Sequence, residues 1–275
     1  MSHIEPFIRW AGGKTWLIPF MTELTQDLKY KNYYEPFLGG AAVFFSLTPP
    51  KHVYLSDINA ELIDTYTAVR DIPDDVIQAM QLLRNTEEDY YRIRKMEPTD
   101  LAERAARFLY LNQTSFNGLY RVNNQGKYNV PYGYRKKLNY DVDRIRNAST
   151  KLQGVRLECS DFAARKYRVK AGDLVFLDPP YTVSHNQNGF IKYNQKLFSV
   201  EEQHRLSAYI DYIRQKGAYY VLTNAAHEKI LEIFDKGDRV ITLDRNSLIG
   251  GKNSKREKIS EYIFTNIPKG GQANE

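Results

Sequence analysis

The sequence predicts an α/β fold: a sheet domain assembled from both ends of the chain and interrupted by a mostly helical insertion carrying a β-hairpin. Three observations predict it. Residues 31–57 hold a strand–loop–helix–strand unit; strand patterns then stop for about 90 residues while helix patterns follow one another; and apolar strand patterns resume after Gly154. A chain of 275 residues can bury a large core without external staples.

Taken in order, residues 31–40 (KNYYEPFLGG) read as a short strand ending in a glycine loop, 41–47 as the helix that leaves it, and 52–57 (HVYLSD) as a strand with an acidic residue at its carboxyl end. A β-loop-α-β unit followed by an acidic residue is the Rossmann-like plan of folds that bind an adenosine-containing cofactor. G-x-G-x-x-G is absent, which argues against a cofactor with a pyrophosphate. Helices are expected over 59–70, 74–84, 86–95 (with Thr86 as cap) and 100–112. Residues 115–138 are rich in Asn, Gly and Tyr, and Asn124-Gln-Gly126 offers a hairpin turn. Strands return at 154–159, 173–177 and 218–223. Before the last of these, Ser199-Val-Glu-Glu202 spells a capping box and Gly217 a helix stop. Residues 239–243 and 261–266 read as closing strands. The implied division is a discontinuous sheet domain, 1–60 and 145–275, and an insertion, 61–144, with its hairpin at 117–134.

Bulk composition narrows the classes of function. The single cysteine, Cys159, excludes an intrachain disulfide framework and fits a reducing cytoplasm; it reads as a small buried residue near a strand end. No run of 18 apolar residues occurs, and MSHIEPFIRW lacks the apolar region of a signal peptide, so a soluble intracellular protein is expected. The net charge is +6, but residues 117–170 hold thirteen Arg and Lys against four acidic residues, a local +9 in 54 residues. The rest is slightly acidic. Basic residues interleaved with Tyr120, Tyr128, Tyr132, Tyr134 and Tyr140 suggest a nucleic-acid surface, because cations neutralise phosphates and rings meet bases. A solvated basic face is the plainer alternative.

Two short motifs carry chemistry. WAGGKT, residues 10–15, ends like a phosphate-binding loop, yet that loop needs a glycine at position 8, where Ile8 stands. Asp178-Pro-Pro-Tyr181 follows the apolar strand LVFL, at the carboxyl end where open α/β sheets keep their ligand crevice. The prolines stiffen the loop and supply carbonyls without competing N–H donors. Asp178 and the Pro179 carbonyl can then accept both hydrogen bonds of one planar amino group, directing its lone pair at an electrophile. Pro180 holds the turn, and Tyr181 offers a face for a planar base.

WAGGK, EPFLGG, the SD after the next strand, DPPY and FNGLYRVN…GKYNVPYG occur in an order that resembles the Dam-type, D12-class DNA adenine-N6 methyltransferases, over nearly the whole chain. The resemblance implies S-adenosylmethionine as cofactor. Trp10, Ala11, Gly12 and Lys14 would line its methionine end, with Lys14 on the carboxylate. Glu35, Phe37, Gly39 and Gly40 would bring backbone close to the amino-acid tail, Asp57 would accept from the ribose hydroxyls, and Asp161 with Phe162 would hold the adenine ring, Asp161 having a helix N-cap as its alternative role. Asp178, Pro179, Pro180 and Tyr181 would act on an adenine flipped out of the duplex.

The resemblance also places sequence reading on the insertion, with the hairpin in the major groove. Leu119, Arg121, Asn123 and Pro131 match family positions, and Arg121 suits a bidentate contact with guanine; Asn117 would wedge near the vacated base. These matches resemble enzymes that methylate adenine in GATC. Two positions depart from the family's pattern: Arg9 stands where Lys commonly contacts the first guanine, and Tyr134-Arg135, before Lys136, reverses the common Arg-Tyr order. The basic segment 250–258 is expected to contact phosphate or form a mobile loop. Double-stranded DNA is the implied partner, with a cognate restriction endonuclease as a possible second, in a prokaryotic or phage-encoded enzyme that works on the nucleoid without a metal. Two alternatives stay open: the same chemistry on RNA, cytosine N4 or another DNA motif, and a silent DNA-binding regulator.

Overall fold

Four consecutive apolar residues, Leu174–Leu177, form β4, and all four are buried. A strand covered on both faces belongs inside a parallel sheet. The computed structural model describes residues 4–48, 50–135, 138, 140–181, 198–246 and 258–269. Among these, β1 (Asn32–Glu35), β2 (His52–Asp57), β3 (Arg156–Cys159), β4, β5 (Tyr219–Ala225), β6 (Arg239–Asn246) and β7 (Lys258–Thr265) make one sheet in the order β3-β2-β1-β4-β5-β7-β6. β1 and β5 flank β4 in parallel, whereas β7 runs antiparallel to both β5 and β6. The order reverses between β1 and β4, the switch point of a doubly wound, Rossmann-like sheet.

Contacts divide the chain into two units. The first comprises Met1–Thr22, Leu38–Thr48 and Leu55–Ser160. Its helices are α2 (Ala42–Ser46), α3 (Ala60–Asp71), α4 (Pro73–Gln81), α5 (Glu87–Lys95), α6 (Leu101–Thr114) and α7 (Val142–Leu152), besides most of α1 (Ile18–Thr25). Side chains cap four of them: Asn59 accepts from Leu62 N, Thr86 from Asp89 N, Asp100 from Glu103 N and Asp141 from Arg144 N. Each such cap contributes about 0.5–2 kcal/mol. α4 ends three residues sooner than its sequence pattern suggests, and Leu82, its C-cap, is exposed. α6 is the central helix of the unit, packed on α3, α4 and α5.

The second unit comprises Glu23–Phe37, Pro49–Tyr54 and Asp161–Glu275. Its core gathers Val175 and Leu177 of β4, Tyr220 and Leu222 of β5, Phe264 of β7, and Leu206, Ile210 and Ile213 of α8 (Val200–Gln215), with Ile230 and Phe234 from α9 (Glu228–Phe234). Ser199 caps α8 by accepting from Glu202 N at 3.3 Å, but the Glu202 carboxylate takes Arg205 instead of completing the box. Gly217, at φ +69°, ends the turn after it.

One expectation is overturned. Cys159 is exposed, because β3 is the first strand in the sheet order and buries none of its side chains fully; its Sγ lies 3.6 Å from the Ile58 carbonyl oxygen. A water-soluble thiol reagent should therefore label native protein at one site per chain. Protection lasting until denaturant is added would contradict this placement.

Candidate active site

β4 delivers Asp178 past its last buried residue. Leu177 pairs with Leu222 in parallel register, so Asp178, just past the end of β4, stands level with Thr223 inside β5. Thr223 Oγ1 donates to Asp178 Oδ1 at 2.6 Å, within the range of a charge-assisted O–H···O⁻ bond. Asp178 is half-buried, Pro179 buried and Pro180 exposed. The Tyr181 hydroxyl donates to Oε2 of Glu261, whose Oε1 is held by Arg245 Nε. Glu261 is wholly inaccessible, and Arg245 is partly buried. Burial first, then the charges of Asp178 and Glu261, push the Tyr181 phenol far above its ordinary pKa, so it remains a donor at neutral pH. Sequence reasoning named Tyr181 for its ring and missed Thr223, Glu261 and Arg245. No motif marks them; only the register of β4, β5 and β7 brings them together.

Farther along the same unit, Phe162 stacks on Phe37 with centroids 5.2 Å apart and planes at 26°, while Arg205 Cζ lies 4.4 Å over the Phe162 ring. Asp161 is committed on both oxygens: Oδ1 accepts from Ala163 N at 2.9 Å and Oδ2 pairs with Arg205. It therefore caps a turn, not a helix; the next helical segment is a single 3-10 turn at Lys166–Arg168 whose N-cap is Arg165. Glu35 is buried and accepts from the Tyr33 hydroxyl at 2.8 Å.

In the first unit, WAGG folds as a backbone turn in which Gly13 N donates to Trp10 O at 3.0 Å and Gly12 takes φ +81°. The Lys14 ammonium is buried and bends back to the Gly12 carbonyl at 2.9 Å. Trp10 then lies against the second glycine loop. A Cβ on Gly39, at φ +45°, would come within 2.7 Å of Trp10 Cδ1, and one on Gly40 within 3.2 Å of Trp10 Cβ. That close approach explains the second glycine pair as the turn explains the first. Gly39 N donates to Asp57 Oδ2 at 3.1 Å and Asn59 N to Oδ1 at 3.0 Å. Burial raises the Asp57 pKa, and these N–H donors oppose the rise. A buried ammonium, a backbone cradle with no room for a side chain and a carboxylate braced by amides suit a ligand bearing a carboxylate and hydroxyls.

The hairpin has two faces. Antiparallel bridges join Ser115 to Tyr132 and Val122 to Tyr128. Tyr128, Val130 and Tyr132 are buried against Tyr90, Ile93, Tyr110 and Leu111, with Tyr120 and Tyr140 packed at the margin. These tyrosines form a core under the hairpin and do not present rings to solvent, which corrects the expectation drawn from their spacing. Tyr134 alone of the five is well exposed, at 68%, and its hydroxyl donates to Glu87. The opposite face carries Asn117, Leu119, Arg121, Asn123 and Pro131, all exposed. Phe116, 51% exposed, joins them unforeseen. Asn117 adopts a left-handed backbone, φ 56°. Arg121 Nε donates to Asn129 Oδ1 at 2.7 Å, and Asn123 Oδ1 accepts from Gln125 N and Lys127 N, building the tip of the turn. Arg9 is clamped through its backbone: its N–H donates to Asn112 Oδ1 at 3.0 Å and its carbonyl accepts from Asn112 Nδ2 at 2.6 Å. The Arg135 carbonyl accepts from Asn85 Nδ2 at 2.6 Å. Lys136 and the basic segment from 250 to 257 lie outside the described residues.

Part of the cationic surplus is spent internally. Lys151 donates to the carbonyls of Phe45 and Leu47, and burial lowers its pKa; Arg146 pairs with Asp74 and Arg144 with Glu5. Among the described residues no cluster of His, Cys, Asp and Glu could hold a metal ion, and no helix is long and apolar enough to cross a membrane.

Residues 10–247 match the model of the D12 class N6 adenine-specific DNA methyltransferases. The chain belongs to that family. It is an adenine-specific DNA methyltransferase, and S-adenosylmethionine is the methyl donor. Family membership closes the readings in which RNA or cytosine N4 is the target. Among its relatives, the type II methyltransferase M1.LlaDCHI of Lactococcus lactis subsp. cremoris is 34% identical, with 96% of each chain aligned. M.MjaIII of Methanocaldococcus jannaschii is 33% identical over 96% of this chain and 99% of its own, and the DNA adenine methylase of Escherichia coli K12 is 29% identical over 96% and 95%.

Gly39→Ala should weaken the cofactor cradle twice, through its positive φ, at about 1–3 kcal/mol, and through the contact with Trp10. Thermal unfolding and S-adenosylmethionine titration monitored by tryptophan fluorescence check this. A variant matching the parent in both would contradict the close approach.

Proposed function

We propose that this methyltransferase flips an adenine out of double-stranded DNA, at GATC, and methylates its N6 with Asp178 holding the amino group. The observation that carries the proposal is the position of Asp178: past the end of a buried central strand, with one oxygen fixed by Thr223. S-adenosylmethionine, when bound, supplies an electrophilic methyl group on a sulfonium. The chain's own residues do the rest. The second oxygen of Asp178 and the Pro179 carbonyl accept the two N6–H bonds, which turns the nitrogen lone pair out of the ring plane. Transfer would leave the donor as a neutral thioether, and the proton that N6 then loses would pass to the Asp178 carboxylate and on to water. The rate gain is one of positioning, with no covalent link to the enzyme. Unstacking a base costs a few kcal/mol, and the Tyr181 ring recovers part of it by stacking.

For the cofactor, Lys14 would pair with the carboxylate, Trp10, Ala11, Gly12, Gly39 and Gly40 would shape the backbone around the amino-acid tail, and Asp57 would accept from the ribose. Phe37 and Phe162 offer the apolar contact for adenine. Asp161 would meet its amino group, for which it must share or release Arg205. Glu35, the last residue of β1, would lie at the cofactor's amino-acid end.

Sequence reading falls to the exposed face of the hairpin and to Arg9, which Asn112 anchors. On this reading 61–144 is a target-recognition domain and 1–60 with 145–275 the catalytic one. The side chains that match GATC enzymes are Leu119, Arg121, Asn123 and Pro131; Tyr134, Arg135 and Lys136 follow at the hairpin's end. A relative named DNA adenine methylase supports adenine as the target base. Relatives named as type II methyltransferases favour a partner endonuclease that shares the site. The enzyme would act in the cytoplasm, on the nucleoid.

Asp178→Ala should abolish transfer of radiolabelled methyl to duplex DNA while DNA binding stays largely intact. Activity within about tenfold of the parent would refute its role. Arg121→Ala should cost about 1–3 kcal/mol of discrimination and relax one position of the recognised sequence, measured as relative kcat/KM on duplexes altered one base pair at a time. Unchanged selectivity would remove Arg121 from the readers.

A further inference from the structure

We propose that Thr223 is a positioning residue for methyl transfer: its hydroxyl fixes the rotation of the Asp178 carboxylate so that one oxygen remains directed at the substrate's amino group. The inference rests on the role given to Asp178 above and names what holds that residue in place.

The argument begins with register. Asp178 follows the last residue of β4 and is half-buried. The χ2 of an aspartate has a broad energy well, so a hydrogen bond to one oxygen sets the plane of the carboxylate. Thr223 is the first residue of β5 beyond the Leu177–Leu222 pair, and it is fully buried. Its hydroxyl lies 2.6 Å from Asp178 Oδ1 and 3.5 Å from the Leu177 carbonyl, and it also meets the Tyr181 hydroxyl. The short contact takes the proton, because an ionised acceptor binds it more strongly than a carbonyl at the limit of hydrogen-bonding distance. With Oδ1 pinned, the carboxylate plane is set and Oδ2 has a fixed direction.

The second feature is the surroundings. Beyond Thr223, Tyr181 is tied to Glu261, and Glu261 to Arg245. Glu261 and Thr223 lie on paired strands, β7 and β5, two rungs apart in register, since Thr223 pairs with Ile263 and Ala225 with Glu261. Aliphatic side chains at these buried sheet positions would avoid the cost of desolvating a hydroxyl and a carboxylate. Four buried polar residues lie on these strands, Thr223 and Asn224 on β5 and Glu261 and Thr265 on β7. Asn224 bonds Gln203 and Thr265 the Tyr220 carbonyl, whereas Thr223 and Glu261 meet the two ends of the DPPY loop, at Asp178 and Tyr181.

The test uses the full-length protein and single-turnover methyl transfer from S-adenosylmethionine to a duplex. Thr223→Val removes the hydroxyl and keeps the shape; Thr223→Ser keeps the hydroxyl and loses a methyl group. Thr223→Val should lower the transfer rate about tenfold to hundredfold, with the Kd values for S-adenosylmethionine and duplex within about twofold of the parent. Thr223→Ser should restore the rate to within a few-fold. A merely structural role would predict the reverse, since the smaller serine leaves the larger cavity and valine packs as well as threonine. Equal rates for parent and Val variant would overturn the positioning role while leaving methyl transfer by the parent intact. A parent that transfers no methyl group to adenine would instead overturn the reading on which the inference rests.

Discussion

The site depends on burying β4 on both faces. Leu174, Val175, Phe176 and Leu177 are each worth about 1.5–3 kcal/mol when fully buried, and this fixes the strand at the middle of the sheet, where it cannot shift by one residue without exposing or clashing a side chain. Everything after Leu177 inherits that precision. Asp178 emerges at a defined height, the two prolines limit the loop's freedom, and Tyr181 returns to the core, where Glu261 receives its hydroxyl. An enzyme whose rate gain comes from positioning needs its hydrogen-bond acceptor placed by a rigid element; here that element is a strand that has no other stable register.

The same economy governs the insertion. Its tyrosines looked like a base-stacking surface because they alternate with cations. In the structure the alternation means something simpler: on a two-stranded hairpin neighbouring residues point to opposite faces, and the tyrosines occupy the inner one. The Tyr128 hydroxyl reaches the Leu119 carbonyl, Tyr90 beneath the hairpin reaches that of Val130, Tyr132 meets the Asn85 side chain and Tyr120 meets Glu61, so in these residues the ring supplies burial and the polar tip meets an acceptor. What remains outside is a short polar and apolar row from Asn117 to Asn123 with Pro131 opposite. The net charge of the region overstates its free cations, since Lys151, Arg144 and Arg146 serve packing and ion pairs.

Much of the fold was legible in the sequence. The strands at 52–57 and 174–177 announce themselves by apolar runs that end at an aspartate, and Asn59, Thr86, Asp100 and Ser199 announce their helices by capping. α7 went unread, although Asp141 caps it and Ile145, Ala148 and Leu152 recur at helical spacing. Asp57 and Asp178 drew notice at the ends of their strands, and Trp10, Lys14 and Gly39 through the motifs that resemble the family. Thr223, Glu261, Arg245, Arg205 and Asn112 did not. They act through partners 45, 80, 16, 44 and 103 positions away, and no local pattern distinguishes a threonine under a carboxylate from one that fills a strand. Cys159 was misplaced for a related reason: its strand looks central in the sequence, and only the strand order puts it at an edge.

The most direct test of this account is modified-base sequencing of plasmid DNA incubated with the protein and S-adenosylmethionine. The account predicts N6-methyladenine confined to one short motif, GATC. Methylated adenine without sequence preference would contradict the role given to the hairpin and Arg9, and unmodified adenine throughout would contradict the central claim that Asp178 presents an adenine amino group to the methyl donor.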